Sequence, residues 1–292
     1  MLLLLSAATT ARAQAGTRAP IILELPAGVR TLGLGNTGVA GRDDDVIFYN
    51  PAQVAVANGF SVSGERFSTS AGSGALSAVT RFNGGGIAIG MQMLNYDLPN
   101  FFPASRLSIL DGGLTPAMSA EAIIAFAQPI KGTRVGIAAK YAEDDMSSIR
   151  LGRALADVGV SRLWFGNTIG LAVQNIGEDL GRNAVPPDTH LPTRTTLGVS
   201  RGTQAGPLDL FGTAAVSMLR TDRVDASGGL EAAYSWLSGY SVALRAGVRR
   251  RDVGIEPLTL GAGLTMDRMT FDYAMETLSN QRLGHRFGIR VR

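Results

Sequence analysis

The sequence predicts an all-β fold: a single 14-stranded antiparallel transmembrane β-barrel with a small N-terminal plug segment. Three observations predict it. From about residue 59 to the end, apolar residues alternate with small or polar ones, and the predicted connections alternate between short and long. Glycine is abundant, at 37 of 292 residues. Because glycine is unfavourable inside helices, this abundance argues against an all-α protein.

The alternation is clearest near the C-terminus. In segment 240–249, apolar side chains stand at even positions, and small side chains or arginine stand at odd positions. Successive side chains of a strand point to opposite faces, so such a segment has one apolar and one polar face. A tilted strand of ~10 residues covers about 23 Å, which matches an outer-membrane hydrocarbon band. The predicted strands are 60–69, 73–82, 84–96, 118–128, 133–143, 153–164, 166–176, 193–202, 207–219, 225–237, 239–249, 258–267, 269–278 and 283–292.

The connections between these strands fall into two classes. Every second connection is tight, and most tight connections contain glycine, as turns require. The others include the two longest gaps, 97–117 and 177–192, with shorter outer loops at 144–152, 250–257 and 279–282. Outer-membrane barrels have short periplasmic turns and longer outer loops. The pattern therefore predicts a barrel with both termini on the periplasmic side. The predicted periplasmic turns are 83–84, 129–132, 165–166, 202–206, 238–239 and 267–268.

The chain opens with an apolar run that is followed by two overlapping A-x-A sites, which is typical of a secretory signal. We expect a signal peptide at 1–15, cleaved after Ala13 or Ala15. We further expect an N-terminal periplasmic or plug segment at 16–58 and a barrel at 59–292. No later segment has 18 uninterrupted apolar residues, so no transmembrane helix is predicted.

The N-terminal segment carries three ordered motifs. They are Ala27 to Gly35 (AGVRTLGLG), the acidic run Asp43-Asp44-Asp45, and Tyr49-Asn50-Pro51-Ala52. In these motifs the sequence resembles the PorV/PorQ-like outer-membrane β-barrel family, which is related to the FadL long-chain fatty-acid transporters. The resemblance covers about 30 residues by motif. It implies a 14-stranded barrel of the bacterial outer membrane, with the N-terminal segment tucked into the lumen as a hatch.

Several residues are candidates for a functional role. The plug or hatch motif comprises Asn50, Pro51 and Ala52, which are expected to form a turn or hinge, and the acids Asp43, Asp44 and Asp45. One of these acids is expected to pair with a lumen arginine such as Arg134 or Arg245 and so to hold the plug. A solvated turn or helix cap is the alternative for the acids, and calcium binding is a third. The other candidates are the lumen charges Asp272 and Glu276, and the outer-loop pair Phe101 and Phe102.

The sequence gives little support for catalytic activity, for a cofactor site or for nucleic-acid binding. Cysteine is absent, and the only two histidines, His190 and His285, lie far apart. The match to G-x-G-x-x-G at 33–38 lacks the preceding strand and the distant acid of a dinucleotide site. The net charge of +3 is too small to indicate nucleic acid. We expect a non-enzyme with no cofactor and no metal, in contact with outer-membrane lipid.

Two functions remain open. The PorV branch of the resemblance implies a structural or shuttle role in type IX-like protein secretion, with secretion components or a cargo protein as partners. The FadL branch implies passive transport of hydrophobic small molecules. The secretion hypothesis expects a wide lumen and a protein-binding outer rim. The transport hypothesis expects an apolar internal pocket beside the plug, with a kinked strand or lateral opening in the wall.

Overall fold

Fourteen antiparallel strands form one closed barrel, in which β1 pairs with β14. The structure is a computed structural model that describes residues 19–67, 71–99, 114–146, 149–179, 190–220, 224–237, 239–250, 257–277 and 283–292. In these ranges, no helix has the length and apolar character needed to span a membrane. The strands are β1 Gly59–Arg66, β2 Gly72–Phe82, β3 Gly85–Pro99, β4 Leu114–Ile130, β5 Thr133–Met146, β6 Ile149–Trp164, β7 Asn167–Ile176, β8 Arg194–Ala205, β9 Leu208–Leu219, β10 Val224–Leu237, β11 Tyr240–Arg249, β12 Leu258–Met266, β13 Met269–Thr277 and β14 Leu283–Val291.

The apolar face of each strand points outward. On β11, Leu244 is 65% exposed while its neighbour Arg245 is only 5% exposed. The same contrast recurs on β14, where Phe287 is 61% exposed and Arg286 is 1% exposed. A closed barrel with a continuous outer apolar surface is the form in which strands cross a bilayer, because every backbone group of the wall is paired. The predicted transmembrane barrel and its side-chain orientation are confirmed.

The predicted tight turns that the structure describes lie together at one end of the barrel. Two residues join the strands at Asn83-Gly84, Lys131-Gly132 and Phe165-Gly166. In these three turns both residues have positive φ, between 47° and 79°. This is the geometry of a two-residue hairpin that follows the right-handed twist of its strands. Two turns differ from the predicted 129–132 and 202–206, because β4 continues to Ile130 and β8 to Ala205. The longer connections lie at the other end, called the outer end below by analogy with outer-membrane barrels.

Some strands extend further toward the outer end than the sequence predicted. The expected outer loop 144–152 is mostly strand, because β5 continues to Met146 and β6 begins at Ile149. Likewise, β3 reaches Pro99 and β4 begins at Leu114. Backbone pairing continues past the apolar belt, where side chains no longer need to alternate in polarity. The alternation therefore underestimates the strand length. Phe101 and Phe102 lie outside the described residues.

The segment 19–58 fills the lumen. It contains one short helix, α1 (Val29–Gly33), and three 3-10 helices at Ile21–Glu24, Asp44–Phe48 and Pro51–Ala55. The helix α1 packs against β11 to β14, and the third 3-10 helix packs against β4, β5 and β6. Most of the segment's side chains are buried, charged ones included. We call this segment the plug.

Candidate functional site

The plug runs through the barrel from the outer end to the turn end. Near the outer end, the backbone N–H of Ala19 donates to the carbonyl oxygen of His190 at 3.3 Å. Near the turn end, the Arg81 side chain of β2 donates to the carbonyl oxygen of Ala55. The described part of the plug therefore begins near the outer end and leads to the start of β1 at the turn end. The segment 1–18, with the predicted signal peptide and its cleavage site, lies outside the described residues.

A closed ring of six alternating charges ties the plug to the wall. Arg30 of the plug binds Glu231 at 2.7 Å, and Arg245 binds both Glu231 at 2.5 Å and Asp272 at 2.7 Å. Arg290 then binds Asp272 at 2.5 Å and the plug residue Asp43 at 2.8 Å. Asp43 closes the ring by pairing with Arg30. Two plug residues and four wall residues thus compensate one another's charge.

Asp43 receives more positive charge than any other carboxylate of this ring. Besides Arg30 and Arg290, the partly exposed Arg292 also donates to it. Burial alone raises the pKa of Asp43, but the three guanidinium groups outweigh burial and hold this pKa well below its usual range. The pKa of Arg30 is raised in turn, because the charges of Asp43 and Glu231 outweigh the effect of burial. Asp43 and Arg30 are therefore both stabilised in their charged forms.

The candidate lumen charges face the plug or the lumen, but Asp43 has other arginine partners than the two named as examples. Asp43 does pair with lumen arginines, but these are Arg290 and Arg292 rather than Arg134 or Arg245. Arg134 instead donates to the side-chain oxygen of Gln53 in the plug at 2.7 Å. Which arginine meets Asp43 depends on where the plug docks, and strand periodicity carries no information on docking. Arg245 and Asp272 lie in the ring, and Glu276 pairs with Arg249.

The other two acids of the run have fewer partners. Asp45 accepts a hydrogen bond from the hydroxyl of Thr31, and Asp44 accepts a weak one from Ser77 at 3.4 Å. Burial, followed by the charges of Asp43 and Asp44, raises the pKa of Asp45 to about 7. Burial is also the main cause of the raised pKa of Asp44. In the described part of the chain, no group of three His, Asp or Glu residues is arranged to hold a metal ion.

Asn50 and Pro51 anchor the lower part of the plug. The Asn50 side chain accepts from the backbone N–H of Ala52 at 3.0 Å and donates to the carbonyl oxygen of Val39 at 2.8 Å. Pro51 occupies the first turn of the third 3-10 helix, where its missing N–H costs nothing. The motif thus links two plug segments and forms a turn.

Inward-facing glycines of the wall make room for this motif. A Cβ at Gly159 would lie 2.0 Å from the Asn50 side-chain oxygen, and one at Gly136 would lie 2.3 Å from the backbone of Pro51. At Gly247, a Cβ would lie 2.1 Å from the backbone of Gly35. At these positions the backbone of the wall therefore packs directly against side chains or backbone of the plug. Sequence reasoning did not identify these glycines as plug contacts, although their placement on the non-lipid face was a usable signal.

An apolar pocket lies in the lumen near the outer end, and the plug fills it. Ile22 and Leu23 are buried there in a cluster with the wall residues Leu94, Ala142 and Leu155 and with Leu191 of the loop before β8. Tyr96 of β3 packs against this cluster. Tyr96 points toward the lumen because successive side chains of a strand alternate in direction and the preceding residue, Asn95, points outward. The sequence did not reveal this pocket, because Ile22 and Leu23 precede the recognisable motifs.

Several hydrogen bonds from described residues hold this upper part of the plug. The backbone N–H groups of Ile21 and Ile22 donate to Asp144 at 3.2 Å and to the Ser119 hydroxyl at 3.1 Å. Arg194 donates to the carbonyl oxygen of Leu23 at 3.3 Å. A narrow cavity of about 80 Å³ lies beside Leu23 and extends toward Tyr49 and Arg194. This cavity separates one side of the plug from the wall strands β8 to β11.

The wall contains one kink near this pocket, on β7. The pairing of β6 with β7 shifts register at Asp157, where Gln174 and Asn175 together oppose a single residue, and Asn175 has a φ of 60°. Such a bulge bends a strand locally. The buried Lys140 stabilises it by contacting Asp157 at 2.8 Å and the Asn175 side-chain oxygen at 3.0 Å.

Comparisons with known proteins reveal a shared fold. No protein-family profile matches the sequence, and a comparison with curated proteins found no match. Among solved structures, the toluene transporter TbuX of Ralstonia pickettii has a TM-score of 0.58 at 13% identity, with 93% of this chain and 100% of that chain covered. The Pseudomonas putida toluene transporter TodX has a TM-score of 0.56 at 11% identity, with 91% and 96% covered. The CymD monoaromatic hydrocarbon channel has a TM-score of 0.55 at 10% identity, also with 91% and 96% covered. At these identities the likeness establishes the barrel architecture, which this chain shares with outer-membrane hydrocarbon channels.

Proposed function

We propose that this protein is a passive channel of the bacterial outer membrane for hydrophobic small molecules, closed at rest by its own N-terminal segment. The observation that carries the proposal is the apolar pocket at the outer end of the lumen. Ile22 and Leu23 occupy it, although much of the lumen around the plug is charged or polar. A pocket that accepts two aliphatic side chains offers the same surroundings to a small hydrocarbon.

The plug is held unevenly, which indicates how a ligand would gain access. The upper part is held by several hydrogen bonds, each of which contributes about 0.5–1.5 kcal/mol. The middle part is held by the charged ring, where removing one partner of a buried ion pair costs about 3–5 kcal/mol. The lower part is interlocked with wall glycines. A ligand that enters from the outer end therefore displaces Ile22 and Leu23 while the ring keeps the rest of the plug in place.

The comparisons support the transport hypothesis more than the secretion hypothesis. TodX and TbuX are described as toluene transporters and CymD as a monoaromatic hydrocarbon channel, all with the same barrel architecture. The secretion hypothesis expected a wide lumen, whereas the plug fills the lumen of the described barrel. The bulge on β7 supports the transport hypothesis, which expected a kinked strand or lateral opening in the wall. A hydrophobic ligand is therefore the partner we propose, together with outer-membrane lipid.

Uptake of radiolabelled toluene by cells that express the protein tests the proposal. Wild-type protein is expected to raise the uptake rate above that of cells with an empty vector. The double variant Ile22→Ala, Leu23→Ala weakens the occupant of the pocket and is expected to raise the rate further. Ile21→Ala is the matched control, since Ile21 belongs to the same 3-10 helix and is 42% exposed. Equal uptake by cells with the wild type, the variants and the empty vector would contradict the proposal.

A further inference from the structure

The outer face of the barrel has a groove of about 1260 Å³ across β14, β1, β2 and β3. Its centre is a row of residues that pair directly across these four strands: Phe287, Gly64, Gly74 and Met93. All four point outward, because they share the parity of the exposed side chains of their strands. Two adjacent glycines thus leave the backbone bare between a phenylalanine on one side and a methionine on the other.

The next outward-facing rows on either side of this central row lie at the two ends of the groove. Toward the turn end, the next row consists of Ile289, Val62, Leu76 and Met91, all of them apolar. Toward the outer end, the next row consists of His285, Arg66, Gly72 and Asn95. The outward side chains of the groove are therefore apolar or absent along its length, and the outward row at its outer end is polar and carries the guanidinium group of Arg66.

We propose that this groove binds one outer-leaflet lipid, with an acyl chain over Gly64 and Gly74 and an anionic phosphate beside Arg66. The groove is continuous with the apolar belt that faces the bilayer, so acyl chains surround it already. A guanidinium group binds a phosphate through paired hydrogen bonds, and an arginine at the membrane interface attracts anionic headgroups. The order of the rows matches the order of groups in a lipid, with the apolar part deep and the phosphate at the surface. The inference does not depend on the transport proposal.

The glycines allow a direct test. A Cβ at Gly64 would lie 3.9 Å from its nearest neighbour and one at Gly74 would lie 3.5 Å away, so larger side chains fit on the backbone and fill the groove. The test variant is Gly64→Leu, Gly74→Leu. The matched control is Gly212→Leu on β9, distant from the groove, where a Cβ meets only the Leu230 side chain, at 3.4 Å. Arg66→Gln tests the headgroup alone.

The measurement is electron spin resonance of the purified full-length protein in vesicles that contain spin-labelled phosphatidylglycerol or spin-labelled phosphatidylcholine. We expect wild-type protein to immobilise the anionic lipid about fivefold more strongly than the zwitterionic one, which is the effect of one arginine near the surface. The ratio should fall to about one in Arg66→Gln, which lacks the guanidinium group, and should stay near fivefold in Gly212→Leu. In the double leucine variant the ratio should fall only partly, because the filled groove no longer seats an acyl chain beside Arg66 but the arginine remains.

Three outcomes would overturn the inference. They are a ratio near one in the wild type, a ratio that neither Arg66→Gln nor the leucine variant changes, and a wild-type dimer that the leucine variant abolishes. The last outcome would assign the groove to a second copy of the chain. Heat-modified migration on gels reports whether each variant is folded. If the leucine variant does not fold, Gly64→Ala, Gly74→Ala replaces it and is held to the same criteria.

Discussion

Arg290 on β14 and Asp43 in the plug form a 2.8 Å salt bridge that joins the barrel wall to the segment closing it. The same guanidinium group binds Asp272 on β13 at 2.5 Å. One side chain therefore connects the plug to two strands of the wall. Because Arg30 and Asp43 are the only plug members of the six-charge ring, the ring stays closed only while the plug is docked.

Asp43→Asn is expected to loosen the plug. The substitution leaves Arg30 and Arg290 without a full negative partner in the buried ring, and breaking a buried ion pair costs about 3–5 kcal/mol. Single-channel recording in planar bilayers should show more frequent or larger openings than in the wild type. Glu143→Gln is the matched control, since it breaks the ion pair with the exposed Arg150. Identical conductance in the Asp43→Asn and wild-type channels would mean that the ring does not hold the plug.

Gly159→Ala is expected to displace the lower part of the plug. Its methyl group would lie 2.0 Å from the Asn50 side-chain oxygen, too close for the two to coexist. Limited proteolysis should then cleave the plug faster than in wild-type protein, while the barrel keeps its heat-modified migration. The control is Gly212→Ala, which adds the same methyl group to an outward position with ordinary contacts. Equal cleavage rates in the two variants would refute this account of the interlock.

The plug is expected to hold less firmly as the pH rises through about 7. The pKa of Asp45 is raised to about 7, mainly by burial and then by Asp43 and Asp44, against the opposing effects of Thr31 and Arg290. A carboxyl group with a raised pKa binds its proton more tightly when docked. Its contribution to stability is therefore complete below the usual value of 3.8 and is lost as the pH rises through about 7.

Channel opening from about pH 5 to about pH 8 measures this effect. The wild type should open more often at the upper end of the range. Asp45→Asn is neutral at every pH and should remove the dependence. The lowered pKa of Asp43 has the opposite sign, so its contribution is lost only as the pH falls below 3.8, outside this range. If the pH dependence of opening persists in Asp45→Asn, a different titratable group causes it.

A single cysteine at position 23 is expected to report ligand entry. The natural chain has no cysteine, so Leu23→Cys introduces a single thiol for labelling. Leu23 is 3% exposed, and a maleimide added from outside should react slowly with the new thiol. Toluene should increase the labelling rate if it displaces the upper plug. Ile21→Cys, at a position already exposed, should label quickly with or without toluene. Labelling of Leu23→Cys that toluene leaves unchanged would argue against displacement at this pocket.

The sequence by itself determined which side of each strand faces lipid and where the tight turns lie. Both are local properties. Side chains alternate along a strand whatever its partner is, as at Leu244 and Arg245, and a two-residue turn such as Asn83-Gly84 needs positive φ at both positions. All fourteen strands were predicted for this reason, but the outer ends of β3 to β6 were not, because pairing continues there without alternation.

Only the tertiary structure decided how the plug is held and what fills the outer pocket. Asp43 and Arg290 are separated by 247 positions, so their pairing depends on barrel closure and on the docking position of the plug. The acidic run and the arginines were visible in the sequence, but Asp43 pairs with Arg290 and Arg292 rather than with the arginines named as examples, Arg134 and Arg245. The pocket around Ile22 brings together residues from several strands and a loop. Local patterns specify faces and turns, whereas contacts between distant segments exist only once the barrel has closed around the plug.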